Sequence, residues 1–375
     1  MNQLSLYDIL LSAPHLTGQE WVLLQDSPPA TLPALVGQFE QELCRATNAR
    51  YALATHSGTE ALELALWTLG VGPGDTVICP TLTFSATANA IDSVGAKPVF
   101  VGCEAITWGL DPDVLETALK TLQKRPKAIV IVDLYGMPAH WAALKTVANR
   151  YGIPLVADAA ESLGSSLNGQ ACGTMGLLNA VSFNQNKIIT GYSGGALLTE
   201  DSALLATART ISNQGRQLVP PYEQVIAGGN CRMNPITAGI GLVQLPVLTK
   251  RVNQRRAIFE QYYASINQYP GIFFQPERAG AVANRWLTAI TIDPAKAGVS
   301  RDQLAGALKK EKIETRSVFV PLHQQQAWRE CPFYGSSLAD ELAQTGLCLP
   351  SGSNLAEEEV ERVIEAIKKQ FGCHV

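Results

Sequence analysis

Residues 180–195 read AVSFNQNKIITGYSGG. A short apolar run ends at Ser182-Phe183, breaks into polar residues around a single lysine, Lys187, and closes on a glycine-rich turn. A lone lysine in a loop is ordinarily a solvated surface charge. Its meaning here depends on what the neighbouring segments deliver beside it.

Working outward, the chain alternates strand and helix. Tyr51–Thr55 has the apolar character of a short strand. Ser57 is a good N-cap, Glu60 suits the positive end of a helix, and Ala61, Leu62, Ala65, Leu66 and Leu69 form its apolar face up to Gly70. The pattern repeats: strand 76–79, helix 85–94, strand 98–101, then a helix from Asp111-Pro112 to Leu122, with Pro at its first position. Ala128–Val132 is a continuous apolar run, as expected of a parallel strand covered on both faces. A helix follows Pro138, then a strand 154–157 that ends at Asp158. This order predicts an α/β fold with a mostly parallel, doubly wound sheet. Beyond a long helical stretch over 235–266, interrupted at Pro246, the spacing changes. Segment 286–292, a helix near Arg301–Lys310, segment 314–319 and an amphipathic helix over 356–371 suggest a smaller α+β unit. The expected division is an irregular N-terminal arm 1–35, broken by Pro28-Pro29 and Pro33, a large domain 36–245 and a smaller C-terminal domain 246–375.

Composition narrows the function. The chain has 375 residues, 46% hydrophobic and 17% charged, with formal net charge −4. That is globular and well buried. No basic block suits a nucleic-acid backbone. No apolar run reaches the roughly 18 residues of a membrane span, and the N-terminus lacks the pattern of a secretory signal, so a cytoplasmic location is the expectation. Eight scattered cysteines contain no Cys-x-x-Cys pair, which points to reduced, buried thiols rather than a metal or redox site.

In an open parallel sheet, ligands bind beyond the carboxyl ends of the strands. Several residues fall there. Ser57-Gly58-Thr59 opens a helix, where backbone N–H groups and hydroxyls can hold a phosphate, although an ordinary N-cap accounts for the same residues. Phe84 could stack on a flat ring or simply pack in the core. Asp158 ends a buried run, and its carboxylate needs a partner there: a helix N-terminus, an arginine or a protonated pyridine nitrogen. Glu161 lies three residues on, within reach of a ring hydroxyl or of solvent. Ser182 and Lys187 complete the set. An amine that forms a Schiff base must lie near a carbonyl carbon and give up its proton. Phosphate site, stacking aromatic, ring-nitrogen carboxylate and amine together describe pyridoxal 5′-phosphate.

The chain resembles the DegT-type nucleotide-sugar aminotransferases, within the fold-type-I pyridoxal-phosphate enzymes. The resemblance is carried by Ser57-Gly58-Thr59-Glu60-Ala61-Leu62, Pro80-Thr81-Leu82-Thr83-Phe84, Leu134-Tyr135-Gly136, Asp158-Ala159-Ala160-Glu161-Ser162-Leu163-Gly164, Ser182-Phe183 with Lys187 and Gly194-Gly195, and Asn230-Cys231-Arg232-Met233. It implies that Lys187 bonds to the cofactor aldehyde and moves protons, and that Asp158 pairs with the pyridine nitrogen. Glu161 would contact the 3-hydroxyl side, at a position often Gln or His. Phe84 would stack on the ring, and Gly58, Thr59 and Ser182 would hold the phosphate. Asn230 would reach the phosphate of a neighbouring subunit's cofactor, which implies a homodimer with shared sites. Some relatives with His in place of the lysine are dehydratases; Lys187 favours amino transfer. Asp133 departs from the His usual before Leu-Tyr-Gly.

Asn284-Arg285-Trp286-Leu287, Ile313-Glu314-Thr315-Arg316, Leu322-His323 and Cys348-Leu349-Pro350-Ser351-Gly352 look most like enzymes that aminate UDP-4-keto-6-deoxy-N-acetylglucosamine on bacillosamine-type routes. Physically, Arg285 and Arg316 are candidates for the diphosphate, Trp286 for the sugar or uracil, His323 for a sugar hydroxyl or equally for a satisfied structural histidine, and Tyr192 for a further substrate contact. Glutamate would donate the amino group, with pyridoxamine phosphate as the intermediate form of the cofactor. dTDP-linked keto-sugars and amination at C3 are alternatives within this class. Two rivals come from other classes. A nicotinamide oxidoreductase would share the sheet, but no Gly-x-Gly-x-x-Gly follows the early strands. A non-catalytic, cofactor-binding regulatory protein is the other, and Lys187 with Asp158 argues against it.

Overall fold

Eight strands form the sheet on which the chain is built: β1 Tyr51–Thr55, β2 Thr76–Pro80, β3 Lys97–Val101, β4 Ala128–Val132, β5 Leu155–Asp158, β6 Leu178–Ser182, β7 Gly195–Thr199 and β8 Phe333–Tyr334. They lie in the order β1-β7-β6-β5-β4-β2-β3-β8. The run from β6 through β8 is parallel, and β7 is antiparallel to both its neighbours. This computed structural model describes residues 6–28, 30–217 and 220–371. The first five residues of the expected arm, Pro29, and residues 372–375 with Cys373 lie outside them.

Buried apolar runs explain the sheet. Every residue of Ala128–Val132 is buried. Val77, Cys79 and Val130 face one layer with Leu62, Leu66 and Ile91 from the helices Gly58–Thr68 and Ala86–Ser93. Ile78, Ile129 and Ile131 face the other with Leu115, Trp141 and Leu144 from Pro112–Thr121 and Trp141–Tyr151. Helices on both faces are what a parallel sheet of apolar strands requires.

A second sheet is antiparallel, in the order Ile272–Phe274, Thr288–Ile292, Gly346–Leu349, Arg316–Ser317. Helices Leu248–Ile266, Arg301–Lys310 and Glu357–Phe371 cover it through Tyr262, Leu304, Leu308, Val363 and Ile367. The chain returns from here at Phe333–Tyr334 to pair with β3 at the edge of the first sheet. Pro246 interrupts the long helical stretch as expected: a 3-10 turn, Leu245–Val247, separates Pro235–Gln244 from Leu248–Ile266.

Two local expectations are corrected. The N-terminal arm contains a helix, Glu20–Asp26. Its weak sequence signal is made good by tertiary contacts, since buried Glu20 accepts from the Thr17 and Gly18 amides and from Gln244 Nε2. Pro33 breaks nothing; it is the N-cap of Ala34–Thr47, a position where its missing N–H is not needed. In segment 314–319 of the expected α+β unit, only Arg316–Ser317 is a strand. Among the described residues no helix is long and apolar enough to cross a membrane.

Candidate active site

A cleft of about 300 Å³ opens beyond the carboxyl ends of the parallel strands. Gly58, Thr59, Phe84, Asp158, Glu161, Ser182 and Lys187 all line it, together with Trp286, Arg316 and Phe319. The site follows from local folding. Each strand exhausts its apolar run inside the sheet and releases a polar or aromatic side chain at its end.

The glycine turn brings β7 against the start of the helix Gly58–Thr68. Ser57 caps that helix, its Oγ accepting from Glu60 N at 3.1 Å. Gly194, at φ +103°, donates its N–H to the His56 carbonyl. A side chain at Gly195 would fall 2.4 Å from the Ser57 carbonyl carbon, so the approach needs glycine. Gly58 is equally constrained, since an added Cβ would lie 2.8 Å from Ser182 Cβ. The result is a bare helix N-terminus with Thr59 and Ser182 hydroxyls beside it, the form of a phosphate cradle.

Asp158 is buried at the end of β5. Thr87 Oγ1 donates to its Oδ2 at 2.8 Å and the Ala160 amide to its Oδ1 at 3.2 Å. Burial raises its carboxyl above the ordinary range, against these bonds and the pull of Lys187. A carboxylate held in a buried site by a hydroxyl and an amide has room for a cationic partner.

Lys187 enters from the loop after β6, its side chain 13% exposed. Nζ lies 3.9 Å from Glu161 Oε1 and 3.9 Å from the centre of the Trp286 ring. Burial lowers its amine below the ordinary lysine range, opposed by Glu161 and Asp158. Burial also pushes Glu161 up to about 7, against the pull of Lys187 and a bond from the Tyr135 amide to Oε2 at 2.7 Å. Both members of the pair are thus driven toward their neutral forms, which leaves the amine free to act as nucleophile or base.

Asp133, unexplained in the sequence, is structural. Its Oδ1 accepts from the Ala139 amide and Trp141 Nε1, its Oδ2 from Ser162 Oγ. It anchors the turn at Leu134–Gly136, whose Tyr135 stacks on Phe319 with ring centres 5.2 Å apart. Asn284 ties the far wall to this turn region through the Glu161 and Leu163 carbonyls and the Trp286 amide. That pinning sets Trp286 over Lys187.

Four expected residues lie elsewhere. Arg285 is buried away from the cleft, paired with Glu277 at 3.2 Å and lying over the Phe259 ring. His323 Nδ1 bonds Thr81 Oγ1 at 2.6 Å, Nε2 lies 3.5 Å from Asp340, and the ring stacks on Phe333. Neither lines this cleft, and His323 sits as the structural histidine that its sequence context also allowed. Tyr192 stands exposed on the glycine turn, outside the cleft lining. Asn230 lines a separate depression with His56, Arg209, Arg216 and Arg232. Sequence reasoning missed Thr87, Asn186, Ser193 and Phe319. The hydroxyls of Thr83 and Thr87, one helical turn apart and 3.2 Å from each other, were the available signal for the first.

The arrangement fits pyridoxal phosphate. Phe84, an aromatic ring, is left 56% exposed at the cleft, ready for a flat partner. The cradle lacks side chains where an anion would sit, and Asp158 lies at the opposite, buried end. Fold and site together define a fold-type-I pyridoxal-phosphate aminotransferase. The comparisons agree. The chain belongs to the DegT/DnrJ/EryC1/StrS aminotransferase family, whose model matches residues 26–368. EpsN of Bacillus subtilis (strain 168), which carries the name of a pyridoxal phosphate-dependent aminotransferase, is 40% identical over 374 residues, covering 97% of this chain and 96% of its own. A UDP-2-acetamido-2-deoxy-3-oxo-D-glucuronate aminotransferase of Pseudomonas aeruginosa is 36% identical, covering 86% and 83%. A GDP-perosamine synthase of Caulobacter vibrioides is 33% identical, covering 96% and 97%. A sugar aminotransferase of Streptococcus pneumoniae, solved in its PLP form, superposes with TM-score 0.88 at 26% identity, over 98% of this chain and all of that one. The protein is a pyridoxal-phosphate-dependent sugar aminotransferase.

Proposed function

We propose that the enzyme moves an amino group from L-glutamate to C4 of a UDP-4-keto-6-deoxy-N-acetylhexosamine, giving a UDP-4-amino-4,6-dideoxy sugar. The observation that carries amino transfer is the buried Lys187 amine 3.9 Å from Glu161 in the same cleft as buried Asp158, with burial lowering the amine and raising the Glu161 carboxyl. The UDP-N-acetyl reading draws support from the Pseudomonas relative's name, from the resemblance of segments 284–287, 313–316 and 348–352, and from Arg316. That arginine lies at the cleft mouth with its side chain 60% exposed and suits a diphosphate.

Pyridoxal phosphate, when bound, supplies a carbonyl carbon that carries the amino group and a ring that accepts the electron pair. The chain's residues do the rest. Gly58, Thr59 and Ser182 hold the phosphate. Phe84 covers one face of the ring. Asp158 keeps the ring nitrogen protonated. Lys187, released as a neutral amine, takes the proton from the donor's α-carbon and later returns one to the sugar carbon. Trp286 shields Nζ from water.

Asn230 and its depression belong, in this reading, to the neighbouring subunit's site, and the enzyme acts as a homodimer. A GDP-linked keto-sugar is the competing reading, favoured by the Caulobacter relative. The test converts the bound cofactor to its amino form with glutamate and then presents a panel of UDP-, GDP- and dTDP-linked keto-sugars. The expected result is fastest reaction with the UDP-4-keto-N-acetyl sugar and, by NMR, nitrogen at C4. Faster reaction of a GDP or dTDP sugar, or nitrogen at C3, overturns the substrate assignment.

A further inference from the structure

Arg255 is 1% exposed and fully inside the fold, yet among the described residues its hydrogen-bond partners are neutral. Nη1 donates to the Trp286 carbonyl at 2.5 Å and Nη2 to Ser12 Oγ at 3.0 Å. Burial, with a smaller push from the neighbouring cation Arg251, pulls Arg255 down to about 9. A buried guanidinium without a carboxylate is costly, and structural packing alone gives no reason to keep it.

Its two partners converge on one atom. Ser12 Oγ donates to the Asn186 carbonyl at 2.8 Å, and Trp286 Nε1 donates to the same oxygen at 2.8 Å. That carbonyl belongs to the peptide bond leading into Lys187. Ser12 reaches it from the N-terminal strap, which is fastened to the second sheet by the Glu314 amide on the Ile9 carbonyl and the Ser351 amide on the Leu11 carbonyl. Trp286 also lies over Nζ. Arg255 therefore grips, through the strap and the tryptophan, the segment that carries the amine.

We propose that Arg255 is a positioning residue for Lys187: its bonds to Ser12 and Trp286 fix the Asn186 carbonyl and so hold the amine in place beneath the Trp286 ring. This rests on Lys187 being the reactive amine. Burial is the main influence that lowers the Nζ amine; Glu161 and Asp158 oppose it, and Arg255 adds a smaller push in the same direction as burial.

The test uses the full chain stripped of cofactor. Lys187 is labelled by a limiting amine-acylating reagent at pH 8 and read by peptide mass spectrometry. Arg255→Gln, too short to span both the Trp286 carbonyl and Ser12, should lower the Lys187 labelling rate about three- to tenfold. Arg255→Lys should restore most of it. Ser12→Asp, whose carboxylate cannot donate to the Asn186 carbonyl, should lower the rate as well, whereas Ser12→Asn, which can donate, should not; this pair serves if Arg255→Gln fails to fold. Equal rates in wild type and a folded Arg255→Gln, equal losses in Gln and Lys variants, or equal rates in Ser12→Asp and Ser12→Asn overturn the proposal. Borohydride reduction of the wild-type holoenzyme separates the two levels. A label on Lys187 with unchanged Arg255→Gln reactivity sinks only this inference, and a label elsewhere sinks the reading beneath it.

Discussion

Glu161→Gln changes almost nothing in shape and removes one ionisable group from the centre of the site. Its carboxyl is pushed from the ordinary 4.5 to about 7 by burial. The folded chain thus holds this proton to higher pH than the unfolded chain. Between pH 4.5 and 7 the unfolded state binds fewer protons, and stability falls as pH rises. The contribution is whole below 4.5 and lost as pH passes through 7. At about 1.4 kcal/mol per pH unit, that loss reaches about 3 kcal/mol by pH 8. Glutamine cannot ionise, and its carbonyl can still accept from the Tyr135 amide. The cofactor-free Glu161→Gln chain should match wild type within about 1 kcal/mol at pH 5 and exceed it by about 2–3 kcal/mol at pH 8. The upper figure is reduced by losing the attraction to Lys187. Urea unfolding at the two pH values, at fixed chain concentration, reads the difference. A variant that gains nothing between pH 5 and pH 8, or that loses stability, would mean that burial does not raise the Glu161 carboxyl in the folded chain, and the argument from the buried pair would fail.

Other outcomes follow from the same geometry. Asp158→Asn keeps a partner for Thr87 but cannot hold a ring-nitrogen proton, so turnover should fall at least about a hundredfold while the unfolding midpoint barely moves; near-normal kcat would contradict the role. Gly58→Ala forces a methyl to 2.8 Å from Ser182 Cβ, an overpacking of about 1–3 kcal/mol, and should weaken cofactor binding by about five- to a hundredfold in a titration of the stripped chain. His323→Gln should cost about 1 kcal/mol of stability through the Thr81 bond yet leave KM for the sugar within about twofold, because the ring does not face the cleft.

Much of the cofactor site was legible in the sequence because its parts sit at strand ends, and strand ends show as places where an apolar run stops. Asp158 after Leu155–Ala157 and Ser182 after Ala180–Val181 are of this kind. The phosphate cradle was legible as a capping serine before a helix. The second sheet supplied no such rule. Arg285 and His323 carry polar groups that a sequence presents as free, and only long-range pairing with Glu277, Thr81 and Asp340 consumes them. The helix Glu20–Asp26 was hidden for the same reason: its stability comes from Gln244, more than two hundred residues away. The clamp of Ser12, Arg255 and Trp286 on Asn186 joins four distant segments, and no local pattern announces it.

The most direct measurement is reduction of the native, cofactor-bound enzyme with borohydride, followed by peptide mapping. The account predicts a single stable pyridoxyl label on Lys187, lost in Lys187→Ala together with turnover. A label on any other lysine, or none, would contradict it.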